Sequence, residues 1–347
     1  MTWVDRDQIR DGVWNMLRVN LGLGADDKLL VITDRPRPEH WTGLDPEVLE
    51  QNLRRALLAR QVAEVAAEGH RAVSFLTFES TGRSGAEPPP PAPGAMREHD
   101  VVVAITSYSL SHTDARQEAC RAGARLASMP AFLPEMFYPG GAMSCDYEKL
   151  AEETARIASW LTAARSARVT CPAGTDIRFS LEGREGRPDD GIYRTPGRWG
   201  NLPAGEAFTA PVEGTGEGRL VVRAGWHPRL EEDMTITLAG GEAHQVTGGG
   251  RVGDVLREVL GLTGQPEAAL APRRNLAELG VGTNPNARRL DVTVEAEKIG
   301  GTVHLALGDS SHMGGVVTAD YHQDFVIPEP DLYLDGVRVM AGGKIVR

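Results

Sequence analysis

Short, continuously apolar runs alternate with helical patterns through the first half of the chain. The most constraining of them, at 100–106, contains the sequence Val-Val-Val-Ala-Ile. A run this short and this apolar is typical of a strand buried on both faces, and such strands occur mainly in parallel sheets covered by helices. The alternation therefore predicts an α/β domain built on a parallel sheet.

The same patterns predict the remaining elements. Predicted strands cover 29–33, 72–78, 100–106 and 125–129, and predicted helices cover 46–68, 113–123 and 146–167. Residues 81–95 contain four consecutive prolines and are predicted to be an irregular, polyproline-type segment. From residue 168 onwards, glycine-rich alternating runs at 168–171, 176–181, 219–222 and 235–238 predict strands, with one helix near 252–260.

Length and composition predict two domains in an ordinary soluble chain. The 347 residues are 41% hydrophobic, and we predict an α/β domain over 1–167 followed by a mostly β (α+β) domain over 168–347. The net charge of −11 disfavours nucleic acids and anionic membranes as partners. A polar start, the lack of a long apolar run and three cysteines without a CxxC pair predict a cytoplasmic protein.

Metal-ligand residue types are concentrated in the last part of the chain. His322 and Asp324 are two positions apart in a strand-like run, so both side chains lie on one face of that strand. His304 lies in another apolar run, and a glycine-rich segment over 308–315 connects the two histidines. If the two runs are strands joined by this segment, both imidazoles can reach one site. For His304 taken alone, the simpler interpretation is a histidine buried in the core.

Two single carboxylates accompany these histidines. Glu206 and Glu278 are each flanked by small, apolar or turn residues. A buried carboxylate without a partner is costly, and coordination of a metal ion removes that cost. The alternative is that both are exposed glutamates in turns.

The order of these motifs resembles the aminopeptidase T family of metallo-aminopeptidases, in particular its short leucyl aminopeptidase-like branch. The motifs are the Pro-x-Gly-Glu turn at Glu206, the Ala-Glu-Leu-Gly turn at Glu278, the His-x-Ala-x-Gly run at His304 and the His-x-Asp run at His322. The resemblance extends over residues 100–336.

The resemblance implies both an architecture and an activity. The N-terminal domain of such a protein caps a C-terminal metal-binding domain, and the protein is a homodimer. By this resemblance two divalent ions, Zn, Co or Mn, are held by Glu206, Glu278, His304, His322 and Asp324. The implied function is hydrolysis of an amide bond near the free amino end of a small peptide, by water that the metal activates.

The sequence departs from the family at one catalytic position. Larger members carry a tyrosine seven residues after the histidine of the His-x-Ala-x-Gly run, whereas Ser311 stands here, followed by His312. His312 or Tyr321 is therefore the predicted replacement for the missing catalytic group.

Other functions stay open on the same scaffold. A ring-cleaving dioxygenase of the dihydroxypyridine type needs one Fe(II), and His304, His322 and Asp324 could supply its two imidazoles and one carboxylate. Further alternatives are a specialised biosynthetic metalloenzyme and a metal-binding protein without turnover.

Overall fold

The computed structural model describes residues 4–264 and 267–346. The helices are α1 (Arg6–Asn15), α2 (His40–Gly43), α3 (Pro46–Ala67), α4 (Ala92–Arg97), α5 (Asp114–Arg121), α6 (Tyr147–Ala163), α7 (Gly250–Val259) and α8 (Thr293–Ala296). Short 3-10 or π turns lie at Met16–Asn20, Pro134–Met136, Ala142–Ser144, Ala268–Arg274 and Ser311–Met313.

The strands come in two series. Those before residue 202 are β1 (Leu29–Arg35), β2 (Val73–Glu79), β3 (Val101–Thr106), β4 (Arg125–Pro130), β5 (Ser166–Thr170), β6 (Asp176–Ser180), β7 (Arg187–Asp189) and β8 (Trp199–Asn201). Those after it are β9 (Glu206–Thr209), β10 (Glu217–Val222), β11 (Met234–Ala239), β12 (Glu242–Gly248), β13 (Leu276–Gly282), β14 (Val303–Gly308), β15 (His322–Ile327), β16 (Asp331–Leu334), β17 (Val337–Ala341) and β18 (Lys344–Ile345).

Packing divides the chain into two units. The first contains residues up to Glu148 together with Gly191–Ala204, and the second contains Lys149–Asp190 together with the chain from Gly205 onwards. The sequence predicts a single boundary at 167/168 from a change in composition. Contacts between segments that are distant in the chain instead assign Gly191–Ala204 to the first unit and begin the second unit at Lys149.

The first unit contains a parallel sheet in the order β2-β1-β3-β4-β8. Its central strand β3 is buried along its whole length, as the apolar run at 100–106 predicts. Alanine and leucine side chains of α3, including Leu58 and Ala59, are buried as well. The predicted α/β fold with a parallel sheet is therefore confirmed.

The second unit is mostly β, also as predicted. One antiparallel sheet has the order β12-β11-β10-β6-β5-β16-β17-β18. The other, which we call the site sheet, has the order β15-β14-β13-β9-β7 and is antiparallel throughout. One apolar core receives side chains from both sheets, among them Ile236 and Leu305, and from α6.

Two local predictions differ from the structure. The segment 81–95 was predicted to be irregular throughout, but α4 begins within it, at Ala92. A proline lies in the first turn of α4. Proline is tolerated there because the amide hydrogen that it lacks would form no hydrogen bond within the helix. The helix predicted over 146–167 ends at Ala163, because Ser166 already pairs with Ser180 in a sheet. Within the described residues, no helix combines the length and apolar character that crossing a membrane requires.

The core beneath the site sheet gives a stability prediction. Leu305 on β14 is fully buried, so Leu305→Ala should lower the free energy of unfolding by about 2–5 kcal/mol through lost burial and the cavity left behind. The matched control Val337→Ala removes a side chain that is 55% exposed and should change it by less than about 0.5 kcal/mol. Denaturant unfolding measures both, and equal effects would contradict this description of the core.

Candidate metal centre

The site sheet has two chemically different faces. Beyond the register shift between Leu276 and Glu278 in β13, and along β14 and β15, apolar odd-numbered residues such as Leu279, Leu305 and Phe325 pack into the apolar core. Because successive side chains of a strand point to opposite faces, the even-numbered residues lie together on the other face. Cross-strand register brings onto that face all the ligand candidates predicted from the sequence: Glu206, Glu278, His304, His322 and Asp324.

Small residues between the ligands make room for them. Gly280 lies opposite His304 in the β13–β14 pair, and a Cβ atom on Gly280 would lie 2.0 Å from the Nε2 atom of that imidazole. Ala306 lies opposite both Glu278 and Asp324. The imidazole of His304 therefore occupies a space that only glycine at position 280 leaves open.

The five side chains form two overlapping groups that share Glu278. In the His304 group, which consists of Glu206, Glu278 and His304, the Nε2 atom of His304 lies 3.3 Å from Glu206 Oε2 and 3.5 Å from Glu278 Oε1. In the His322 group, which consists of Glu278, His322 and Asp324, the Nε2 atom of His322 lies 3.2 Å from Glu278 Oε2 and 3.4 Å from Asp324 Oδ1. Each group offers two carboxylate oxygens and one imidazole nitrogen.

These donors fit a divalent cation. The Glu206 Oε2 and Asp324 Oδ1 atoms are buried and form no hydrogen bond within the described residues. Buried charged oxygens are normally paired or bound to metal, because their desolvation is costly. Imidazole and carboxylate donors together suit Fe(II), Zn, Mn and Co. The donor set of this cluster therefore suits a divalent metal ion.

The orientation of His322 is set by the backbone. Its Nδ1 atom donates a hydrogen bond to the carbonyl oxygen of Asp309, at 2.8 Å. A neutral imidazole that donates through Nδ1 leaves the lone pair on Nε2 available for a metal ion. The Asp309 side chain in turn accepts hydrogen bonds from the amides of Ser311 and Ala319, so the segment between the two histidines is held in place.

The carboxylates hold protons on both imidazoles when no metal is bound. Burial acts to lower the pKa of His304, but Glu278 and Glu206 raise it to about 9. Burial likewise opposes protonation of His322, yet Asp324 and Glu278 raise its pKa to about 12. A metal ion that uses these nitrogens must therefore displace protons.

Burial and neighbouring charges also shift the pKa values of the carboxyl groups in this cluster. Burial raises the pKa of Glu206 to about 7, and Lys298 limits this rise. Burial also raises the pKa of Glu297 well above its usual value. Burial acts on Asp324 in the same direction, but the charge of His322 lowers its pKa well below the ordinary range.

Several charged residues of this cluster are not recognisable from the sequence. Lys298 is buried, and its ammonium contacts Asp189, Glu206 and Glu297. Asp189 pairs with Glu206 across β7 and β9. In the sequence, Glu297-Lys298 has the appearance of an ordinary surface charge pair, so only the folded chain shows that it is buried.

Neither of the two predicted catalytic residues belongs to a ligand group. The side chain of His312 is 64% exposed, and its Nε2 atom is 3.9 Å from Asp309 Oδ1. Tyr321 packs against the apolar core, and burial raises the pKa of its hydroxyl. Their catalytic roles remain predictions.

Gly280→Ala tests the space beneath His304. The added methyl group overlaps the imidazole, so the affinity of the metal-free protein for Mn²⁺ should fall about 10- to 100-fold, the range for a displaced ligand orientation. Isothermal titration calorimetry measures it. The control Gly94→Ala meets no atom within 4 Å and should bind as the wild type does. Unchanged affinity in Gly280→Ala would show that His304 needs no such space.

Metal affinity should rise with pH between 6 and 9. The metal-free imidazole of His322 carries a proton over this whole range, and that of His304 carries one up to about pH 9. Because a metal ion must displace the proton of each imidazole that it binds, the association constant should rise by about tenfold per pH unit for each proton released. Calorimetry in buffers of different ionisation enthalpy counts these protons. An affinity independent of pH would exclude both imidazoles as ligands.

Comparison with known proteins identifies the family. The family model NicX, 2,5-dihydroxypyridine 5,6-dioxygenase, matches residues 53–347. A curated 2,5-dihydroxypyridine 5,6-dioxygenase from Pseudomonas putida KT2440 is 27% identical over 200 residues, which are 54% of this chain and 55% of the relative. The chain thus spans about half the length of that relative.

Two solved structures share the fold. A 2,5-dihydroxypyridine dioxygenase from Pseudomonas putida KT2440 superposes with a TM-score of 0.74 at 20% identity, covering 99% of this chain and 98% of the other. Wild-type AmpT from Thermus thermophilus superposes with a TM-score of 0.66 at 18% identity, covering 98% and 99%. The predicted resemblance to aminopeptidase T is therefore confirmed for the fold.

The predicted activity is corrected by the same comparisons. The family model and the curated relative both name a dioxygenase, so the prediction of an aminopeptidase-like hydrolase was wrong and the ring-cleaving alternative is favoured. An enzyme is supported, and this family suggests Fe(II) as its metal, whereas two ions per chain are not shown. With its match over residues 53–347, the chain belongs to the NicX family of 2,5-dihydroxypyridine 5,6-dioxygenases.

Proposed function

We propose that this protein is an Fe(II)-dependent dioxygenase that opens the ring of a dihydroxylated pyridine. The family match over residues 53–347 carries the proposal, because it includes every ligand-type residue of the site sheet. The substrate class is taken from the name of the curated relative.

We further propose that one Fe(II) is held by the His322 group. The facial triad expected from the sequence was His304, His322 and Asp324, but among the described residues these three do not form one compact group, because Glu278 lies between the imidazoles. His304 then contacts the other oxygen of Glu278 and orients it. When bound, Fe(II) would supply the redox chemistry that lets dioxygen react with the ring.

The side chains of the protein would position the reaction and manage its protons. The Asp309 carbonyl keeps the proton of His322 on Nδ1 and leaves Nε2 for the ion. Glu206 Oε2 is buried, makes no hydrogen bond of good geometry within the described residues, and lies 3.3 Å from His304 Nε2. With the pKa of Glu206 raised by burial to about 7, this oxygen can accept a proton from a substrate hydroxyl at neutral pH.

Oxygen consumption tests the proposal. The metal-free protein is loaded with Fe(II) under anaerobic conditions and mixed with 2,5-dihydroxypyridine and dioxygen, and oxygen uptake and loss of the ring absorbance are followed together. We expect one dioxygen consumed per ring opened. His322→Ala and Asp324→Ala should each lower the rate by about 100-fold or more, because each removes a proposed ligand.

The control His244→Ala removes an exposed imidazole from β12 and should keep the wild-type rate. No oxygen uptake by Fe(II)-loaded wild-type protein with this substrate or related dihydroxypyridines would contradict the proposed function. Equal rates in wild type and His322→Ala would contradict the ligand assignment instead.

A further inference from the structure

The site sheet contains its own fixed cation. Lys298 is 1% exposed, and its Nζ atom lies 3.3 Å from Asp189 Oδ2 and 2.9 Å from Glu297 Oε1. It also donates a hydrogen bond to Glu206 Oε1. Three carboxyl groups from separate parts of the second unit therefore converge on one ammonium group.

The backbone around Lys298 is held close to the sheet. A Cβ atom on Gly282 would lie 2.2 Å from the carbonyl oxygen of Ile299, so this segment packs directly on β13. The amide of Asn284 donates to the carbonyl of Lys298 at 2.9 Å. The ammonium is thus positioned by short-range packing rather than by a mobile surface chain.

The two ligand groups differ in their relation to this cation. The His304 group includes Glu206, whose Oε1 atom is bound by Lys298 while its Oε2 atom faces His304. The structure gives no contact between Lys298 and Glu278, His322 or Asp324, all of which it describes. A divalent ion in the His304 group would share a carboxylate with the ammonium and be repelled by its charge. An ion in the His322 group would not share a ligand with it.

We propose that Lys298 takes the place of a second metal ion beside the His304 group and keeps a divalent ion from binding there tightly. Lys298 neutralises part of the charge of Glu206, Glu297 and Asp189 and weakens the His304 group as a metal site. This inference rests on the proposed function only in requiring that the cluster binds a metal ion. Lys298 is then a positioning residue: it balances the charge of Glu206 and holds the Oε1 atom, so that the Oε2 atom faces His304.

Metal stoichiometry tests this inference without reference to turnover. Metal-free full-length protein is titrated with Mn²⁺ under anaerobic conditions, with calorimetry, elemental analysis and electron paramagnetic resonance as readouts. Wild-type protein should bind one Mn²⁺ tightly and a second about 100-fold or more weakly. Lys298→Gln removes the charge and should strengthen the second ion about tenfold or more, which produces the signal of a spin-coupled Mn²⁺ pair.

The control Lys344→Gln changes an exposed lysine of the same unit and should behave as the wild type does. Circular dichroism checks folding. If Lys298→Gln does not fold, the double variant Lys298→Gln/Asp189→Asn removes one charge of each sign and should show the same gain of a second ion.

Two ions of comparable affinity in the wild type would overturn the inference, and that measurement needs no variant. An unchanged second affinity in the folded Lys298 variants would overturn it as well. One tightly bound ion without ring cleavage would leave the inference standing and contradict the proposed function alone.

Discussion

The arrangement of this site depends on the need to balance the charges of carboxylates on the face of the site sheet opposite the apolar core. Glu206 and Glu278 are buried beside two imidazoles, and Asp324 is nearly so. Such a cluster is stable only with cations in contact, because desolvated anions repel one another. Protons on the imidazoles, the ammonium of Lys298 and a divalent ion all serve this purpose. Under the proposed function, a divalent ion would compete with protons for the imidazole nitrogens and with Lys298 for the carboxylate of Glu206.

The fold by itself does not decide the chemistry. Both a dihydroxypyridine dioxygenase and AmpT superpose on at least 98% of the chain, although at 20% identity or less. A shared scaffold is compatible with different reactions, and the reaction depends on the ions and charges of the site. The match to the dioxygenase family distinguishes this chain from the hydrolase that its ligand motifs first suggested.

Much of the architecture could be predicted because it rests on local patterns. The apolar run before Thr106 corresponds to a strand buried along its length, and the alternating runs after residue 168 correspond to antiparallel strands. The prediction missed that β8 joins the parallel sheet from a position more than sixty residues after Pro130. It also missed α4, which starts within a proline-rich segment. Such features depend on long-range pairing and on the exact position of a proline in the first turn.

The sequence by itself determined the types and the shared face of the ligand-type residues. The two-residue spacing of His322 and Asp324 places both on one side of β15 whatever surrounds them, because strand side chains alternate. Only the tertiary structure decided that Glu278 lies between the imidazoles and that Gly280 gives His304 its space. It also decided that Lys298 is a buried partner of Glu206 rather than a surface charge. The reason is physical: spacing along a strand is local, whereas burial and charge pairing arise only when distant segments pack together.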